Sequence, residues 1–310
     1  MRLSIVVPCY NEEAGLHELH RRLTATCAAL DMEYEIVLVN DGSRDGTADV
    51  IRELVRTDRH VRGVSLSRNF GHQAALSAGV EHASGDAVVV MDADLQHPPE
   101  LIQRFVEKWR EGYDIVYAYR EGRKPRLGYR IINALMQIRV PPEAADFRLM
   151  DRRVVDAFRQ MPERARFIRG MVSWLGFRQT GVGYQDQARF AGKRSYTVRQ
   201  TMTMAANAVI SFSHVPLRIA SMLGVITLLL GLFYAAYILV AWLLDRPLTP
   251  GWTGMMMTVL VLGGVQLICL GIIAEYLGRV YEEVKRRPLY VVRDRWGFDP
   301  PDAGDRQEQR

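Results

Sequence analysis

The segment MDADLQHPPE, residues 91–100, sets Asp92, Asp94 and Gln96 at alternate positions directly after the apolar run Ala87–Val90. In an extended chain alternate side chains share a face, so these three would point one way and Ala93 and Leu95 the other. Three oxygen-bearing groups on one face suit a hard divalent cation such as Mg²⁺ or Mn²⁺. The same residues would also solvate a turn and cap a helix opening near Pro98-Pro99. The stretch alone leaves both chemistries open.

The elements that must position these residues alternate along the chain. Leu3–Val7, Tyr34–Val39, Val61–Leu66, Ala87–Met91 and Asp114–Tyr119 read as buried strands, and Glu13–Leu30, Thr47–Val55, His72–His82 and Glu100–Glu111 as helices. This alternation predicts an α/β domain with a mainly parallel, Rossmann-like sheet and helices on both faces. A polar signature follows each of the first four strands: PCYNE (8–12), NDGSRDGT (40–47), SRNFG (67–71) and DADLQ (92–96). One of them would pass as turn chemistry. Four on the carboxyl edge of a parallel sheet, where ligands bind, favour a binding site. No G-x-G-x-x-G or Gly-Lys-Ser/Thr loop follows the first strand, which disfavours a dinucleotide or P-loop site. Carboxylates can instead hold a diphosphate through a bridging cation, and a nucleoside diphosphate leaving group fits.

The 310 residues carry a modest basic excess but divide into two unlike parts. Ile219–Leu244 and Met255–Ala274 contain no charged residue and are joined by DRPLTPGWTG (245–254). Each meets the roughly 20 residues a membrane-spanning helix needs. The apolar run Leu3–Val7 ends at once in PCYNEE and has no signal-peptide pattern. Arg218 on one flank, and Arg279, Lys285, Arg286 and Arg287 on the other, place both flanks in the cytoplasm by the positive-inside tendency. Cys9, Cys27 and Cys269 are scattered and give neither a disulfide framework nor zinc spacing. The expected organisation is a cytoplasmic domain over 1–205, a juxtamembrane segment with two spans over 206–280, and a cytoplasmic tail over 281–310.

VVPCYNE, VNDGSRDGT and MDADLQHPPE resemble the nucleotide-sugar motifs of family 2 glycosyltransferases. With SRNFGHQAAL, ADFRLMDR, RFIRGMVSWLGF and the paired spans, the chain resembles the polyprenyl-phosphate glycosyltransferases from Leu3 to about Val292. Within these it is most similar to bacterial bactoprenol (undecaprenyl-phosphate) glucosyltransferases, with dolichol-phosphate mannose synthases as cousins. The resemblance implies a GT-A-type fold in which Pro8, Tyr10, Glu12 and Asp41 hold the nucleoside, with Arg68 and Asn69 also on the nucleotide sugar. It implies Asp92, Asp94 and Gln96 as the diphosphate- and metal-binding set, with Mg²⁺ or Mn²⁺ as cofactor. Arg120 and Arg148 match arginines facing the lipid phosphate, and Arg189 and Tyr196 fall in a loop that closes over the donor. That loop departs from the usual pattern, because AGKRSY (191–196) puts its lysine before its serine.

The reaction implied is inverting transfer of a hexose, glucose from UDP-glucose foremost, to polyprenyl phosphate at the cytoplasmic face of a bacterial inner membrane. Asp92, Asp94, Arg120 and Arg148 are its expected catalytic residues. GDP-mannose or a UDP-aminoarabinose type of donor would keep the mechanism. A processive polysaccharide synthase would need Gln-x-x-Arg-Trp, whereas RDRW (293–296) follows Val292. A catalytically silent membrane scaffold would not need Asp92 and Asp94. His72 and His97 read as polar contacts near the site, and Arg123, Lys124, Arg126 and Arg130 as a face for anionic headgroups. The expected partners are a nucleotide sugar, a polyprenyl phosphate and the bilayer; a homo-oligomer is allowed, and nucleic acid is not expected.

Overall fold

The computed structural model describes residues 1–122, 141, 144–164, 166–185, 215–244 and 251–298. These form two compact units, one of residues up to 185 together with 287–298, the other of the described residues in 215–286. The first unit carries β1 (Arg2–Cys9), α1 (Leu16–Ala28), β2 (Glu33–Asn40), α2 (Thr47–Thr57), β3 (Val61–Leu66), α3 (His72–His82), β4 (Ala87–Val90), α4 (Leu101–Arg110) and β5 (Ile115–Arg120). Every expected strand and helix of this region is present, with shifts of a few residues at the ends.

Beyond β5 come β6 (Ala144–Asp151), α5 (Arg152–Arg159), α6 (Ile168–Trp174) and β7 (Gln179–Tyr184). With β8 (Val292–Trp296), the eight-stranded sheet runs β7-β5-β6-β4-β1-β2-β3-β8. Strands β1 to β4 are mutually parallel, so their carboxyl ends share one edge. Strand β6 enters antiparallel between β4 and β5, with Arg148 opposite both Val90 and Tyr117. ADFRLMD, a motif segment without a strand assignment in the sequence pattern above, forms β6, and its alternation of apolar with charged residues suits a strand sandwiched in a sheet.

Helices α1, α2 and α4 bury Leu19, Leu23, Ile51, Ile102 and Phe105 against Leu3, Ile5, Leu38, Val89 and Phe147 on one face. Helix α3 lies on the other and packs on β1 and β2. Its approach is set by Gly79, where a Cβ would fall 2.2 Å from Val6 Cγ1. Beside α3, Arg159 of α5 donates to the carbonyls of Val80, Glu81 and Ala83. The resulting two-sided burial explains why the central strands read as continuous apolar runs.

Residues 287–298 return to this sheet. Strand β8 (Val292–Trp296) pairs antiparallel with the outer edge of β3, Trp296 opposite Gly63. Covering that edge removes a row of unpaired backbone groups. Ahead of β8, the Val291 carbonyl accepts from Ser67 N at 2.9 Å, and the Tyr290 hydroxyl bonds the Glu81 carboxylate. Burial and that carboxylate push the Tyr290 phenol well above its ordinary range. RDRW is therefore an edge strand, with the Arg52 guanidinium 4.9 Å over the Trp296 ring.

The second unit is a pair of long helices, α7 (Val215–Leu243) and α8 (Trp252–Val284), in mutual contact. Leu217–Ile238 and Gly254–Val284 are long and apolar enough to cross a membrane. They leave large apolar side chains uncovered, Phe233 being 77% exposed and Leu267 71%, which water would penalise at roughly 25 cal/mol per Å². The second helix does not stop at Ala274 as the charge-free window suggested; it continues ten residues to Val284, with Arg279 and Glu275 one turn apart at 3.6 Å.

Replacing Trp296 by alanine should uncover Gly63 and lose the contact with Arg52. A fully buried Trp→Ala change costs about 3–5 kcal/mol; for this half-buried ring we expect about 2 kcal/mol, read as a lower thermal midpoint in detergent with membrane insertion unchanged.

Candidate active site

At the carboxyl end of β4 the chain turns instead of continuing extended. The strand ends at Val90, and Leu95 adopts a left-handed φ of 58°, an unusual conformation for a branched apolar residue. The turn is closed by Asp94 Oδ1, which accepts from Gln96 N at 3.1 Å. The extended geometry expected here is thus replaced by a turn, yet the alternation of exposure survives. Ala93 and Leu95 are 4% and 3% exposed, and Asp92, Asp94 and Gln96 stand half-buried at the edge. The side chain of Leu95 seated in the core accounts for the unfavourable φ. The helix that follows receives no side-chain cap, because its N-cap position is Glu100 and makes no such bond.

Three other loops are stitched to this one. Asn11, itself at a φ of 56°, accepts from Arg44 N at 2.9 Å and donates its own N–H to Ser43 Oγ, joining the β1 and β2 loops. Glu12 N donates to Thr47 Oγ1 at 2.9 Å, and Glu13 Oε2 accepts from Gly46 N at 2.9 Å. Asp41 accepts from Phe70 N and Gly71 N at 2.8 and 3.0 Å, joining the β2 and β3 loops. Gly42 has a φ of 63°, and a Cβ there would fall 2.3 Å from the Arg68 carbonyl carbon, so NDGS must carry glycine. Finally His72 Nε2 lies 3.4 Å from Asp92 Oδ1, linking the β3 and β4 loops.

The expected nucleoside residues divide into two kinds. Tyr10 is 42% exposed at the end of β1, and Arg68 and Asn69 are exposed, Arg68 lying 4.6 Å over Phe70. Glu12 is half-buried. Pro8 is buried within β1 at the point where the ladder to β4 has ended, so its missing N–H leaves no gap. Asp41 is also buried, and its carboxylate organises the 67–71 loop. Burial pushes its carboxyl up, although the two backbone donors and His72 oppose the shift.

Arg120 ends β5, half-buried, and donates from Nε to the Tyr184 hydroxyl at 3.2 Å. Arg148 is only 4% exposed and lies 3.7 Å from Asp146, a setting unlike that of an exposed, phosphate-facing side chain. Asp146 is gripped by Arg169 of α6 through two bonds of 2.7 and 2.9 Å. Burial alone would raise the Asp146 carboxyl; Arg169 first and Arg148 second hold it well below the usual carboxylate range. Arg148 and Arg169 line a small cleft with Tyr117, Ser173 and Gln179. Arg189, Tyr196 and the basic residues 123–130 lie outside the described residues. Among those described, no three His, Cys, Asp or Glu side chains converge as a cage for an ion.

Residues 4–158 match the model of glycosyl transferase family 2, and residues 215–280 that of the GtrB C-terminal hairpin. An uncharacterized glycosyltransferase of Synechocystis is 46% identical over 96% of this chain and 97% of its own. The chain belongs to glycosyltransferase family 2. The bactoprenol glucosyl transferase of Shigella phage SfII is 37% identical over 94% of this glycosyltransferase and 98% of the phage protein. A prophage bactoprenol glucosyl transferase homolog of Escherichia coli is 35% identical over 94% and 99%. Among solved structures, mannosyl-3-phosphoglycerate synthase from Rubrobacter xylanophilus matches with a TM-score of 0.51 at 18% identity, covering 67% of this chain and 72% of that one. That likeness supports the GT-A-like fold.

In this glycosyltransferase, neither Asp146 nor Arg169 stands out in the sequence as a site residue, yet the two pair beside Arg148. The signal was an aspartate two residues before an arginine on a strand, which puts both on one face. Arg169→Met should leave Asp146 with only the more distant influences of Arg148 and His72. Breaking a fully buried pair costs about 3–5 kcal/mol; with Arg169 half-exposed we expect about 2 kcal/mol. Because the folded carboxyl is depressed, the pair's contribution is complete above the unfolded value near 4 and is lost as pH falls below it. Thermal denaturation across pH should therefore show wild type and variant converging in acid.

Proposed function

We propose that this glycosyltransferase transfers a hexose, glucose from UDP-glucose in the first instance, to a polyprenyl phosphate at the cytoplasmic face of a bacterial inner membrane, inverting the sugar C1. The observation that carries the reading is the union in one chain of a carboxylate-bearing sheet edge with an apolar two-helix hairpin. Relatives with bactoprenol glucosyl transferase in their names match this chain over nearly their whole length, and residues 215–280 match the GtrB C-terminal hairpin.

The chemistry asks little of acid–base groups. A lipid monophosphate is anionic at neutral pH, so its oxygen can attack C1 without a base. What the protein must do is bring two anions together. Tyr10, Arg68 and Asn69, exposed on the stitched loops, would meet the nucleotide. Asp92, Asp94 and Gln96 offer hard oxygens in a half-buried setting, which suits Mg²⁺ held by one or two carboxylates plus substrate phosphates. Such a cation, or Mn²⁺, would supply positive charge to the departing diphosphate.

Arginine suits the incoming phosphate because its planar fork makes paired bonds. Arg120, which donates to the Tyr184 hydroxyl at the sheet edge, would serve this way. Arg148 would meet an anion from the cleft it shares with Arg169, where both guanidinium groups lie beside Asp146. Its role toward the acceptor therefore differs from Arg120's, with support of Asp146 as its first task.

Chain connectivity supports the topology. The chain leaves the first unit before α7 and rejoins its sheet at β8, with two apolar helices between. An even number of crossings puts both flanks, and the sheet, on one side. The positive flanks make that side the cytoplasm.

Two outcomes check the reading. Asp94→Ala should abolish transfer with the fold intact, and chelation should silence the wild type until Mg²⁺ or Mn²⁺ is restored; full activity in chelator would contradict the cation. A cysteine placed at Thr249 should be labelled from outside intact cells, and labelling only after permeabilisation would contradict the hairpin.

A further inference from the structure

His97 has a place in the fold that the donor motif does not explain. It is 4% exposed, and its Nδ1 is buried with no hydrogen-bond partner among the described residues. A buried polar atom in that state is uncommon and asks for a reason. The ring is fixed on two sides. It stacks on Phe147 of β6 with centroids 5.5 Å apart and planes 30° apart, and meets Tyr184 of β7 edge-on at 5.7 Å. The backbone is fixed as well, between the left-handed Leu95 and Pro98-Pro99.

The polar group that Nδ1 faces is Asp92. Asp92 Oδ2 lies 3.7 Å away, too far for a hydrogen bond but within a small side-chain movement of one. The other oxygen, Oδ1, is 3.4 Å from His72 Nε2. The carboxylate therefore sits between two imidazoles, one clamped by aromatic rings and one half-exposed at the start of α3. Of the two partners it is Asp92, half-exposed at the edge, that is free to move; His97 is not. Catalytic hydrogen bonds are often long without ligand and tighten when it binds.

We propose that His97 is a positioning residue for Asp92: when the nucleotide sugar binds, Nδ1–H closes onto Oδ2 and fixes the carboxylate toward the diphosphate. This rests on the donor reading above. It assigns the histidine of DADLQHPPE a role distinct from metal ligation and from contact with the sugar. It also gives the aromatic clamp a function, since a rigid donor loses little freedom when the bond forms.

The test is a double-mutant cycle on Mn²⁺·UDP binding by calorimetry, using the full-length protein in detergent. His97→Phe keeps the ring stack and removes the donor; His97→Asn carries an amide N–H near the place of Nδ1. His97→Phe should weaken binding about tenfold with the thermal midpoint near wild type, and His97→Asn should recover most of the loss. In an Asp92→Asn background, His97→Phe should add less than twofold. Equal losses for Phe and Asn, losses that multiply with Asp92→Asn, or wild-type affinity in His97→Phe would each overturn the assignment. Absence of Mn²⁺-dependent UDP binding in the wild type would instead overturn the donor reading, and this inference with it.

Discussion

The burial of Ala93 and Leu95 is the constraint on which the active edge depends. Both are almost wholly withdrawn from solvent, and holding Leu95 in the core requires a φ that branched residues avoid. Such a conformation persists only where surrounding packing over-determines it. Its effect is to present Asp92, Asp94 and Gln96 outward without an extended strand to do so. Two of the three would carry charge, and burying them unpaired would be costly. Apolar anchors and polar edge are two sides of one turn.

The remaining loops are braced against that turn by hydrogen bonds from side chains to backbone. Asn11, Glu13 and Asp41 each accept from the backbone of a neighbouring loop. Acidic and amide residues that look like ligands in the sequence are in part structural ties, Asp41 above all. Those ties preorganise the exposed Tyr10, Arg68 and Asn69. Strand β6 braces the other side, carrying Phe147 beneath His97 and Asp146 into the grip of Arg169.

The α/β core was legible because each helix and strand up to β5 has its own period and turn residues. Asp92, Asp94 and Gln96 were legible for the same reason, since alternation of exposure is written in residue type even where the backbone departs from a strand. Three features were not. Strand β6 inserts antiparallel between β5 and β4, a pairing that no local pattern specifies. The Asp146–Arg169 pair joins residues on separate elements. Strand β8 lies far along the chain from β3, and nothing local in RDRW, which lacks the Gln-x-x-Arg-Trp pattern, specifies the pairing that sets Trp296 opposite Gly63. In each case the deciding contact is tertiary, and local propensity is silent about it.

Strand β8 returns the chain, after its two apolar helices, to the outer edge of β3. The most direct measurement is the structure of the product. Purified protein given UDP-glucose, undecaprenyl phosphate and Mn²⁺ should yield a lipid-phosphate glucose whose anomeric proton and carbon report the β configuration, inverted from the α-linked donor. An α-linked product, or transfer of glucose to water or to a growing glycan with the lipid phosphate left untouched, would contradict it.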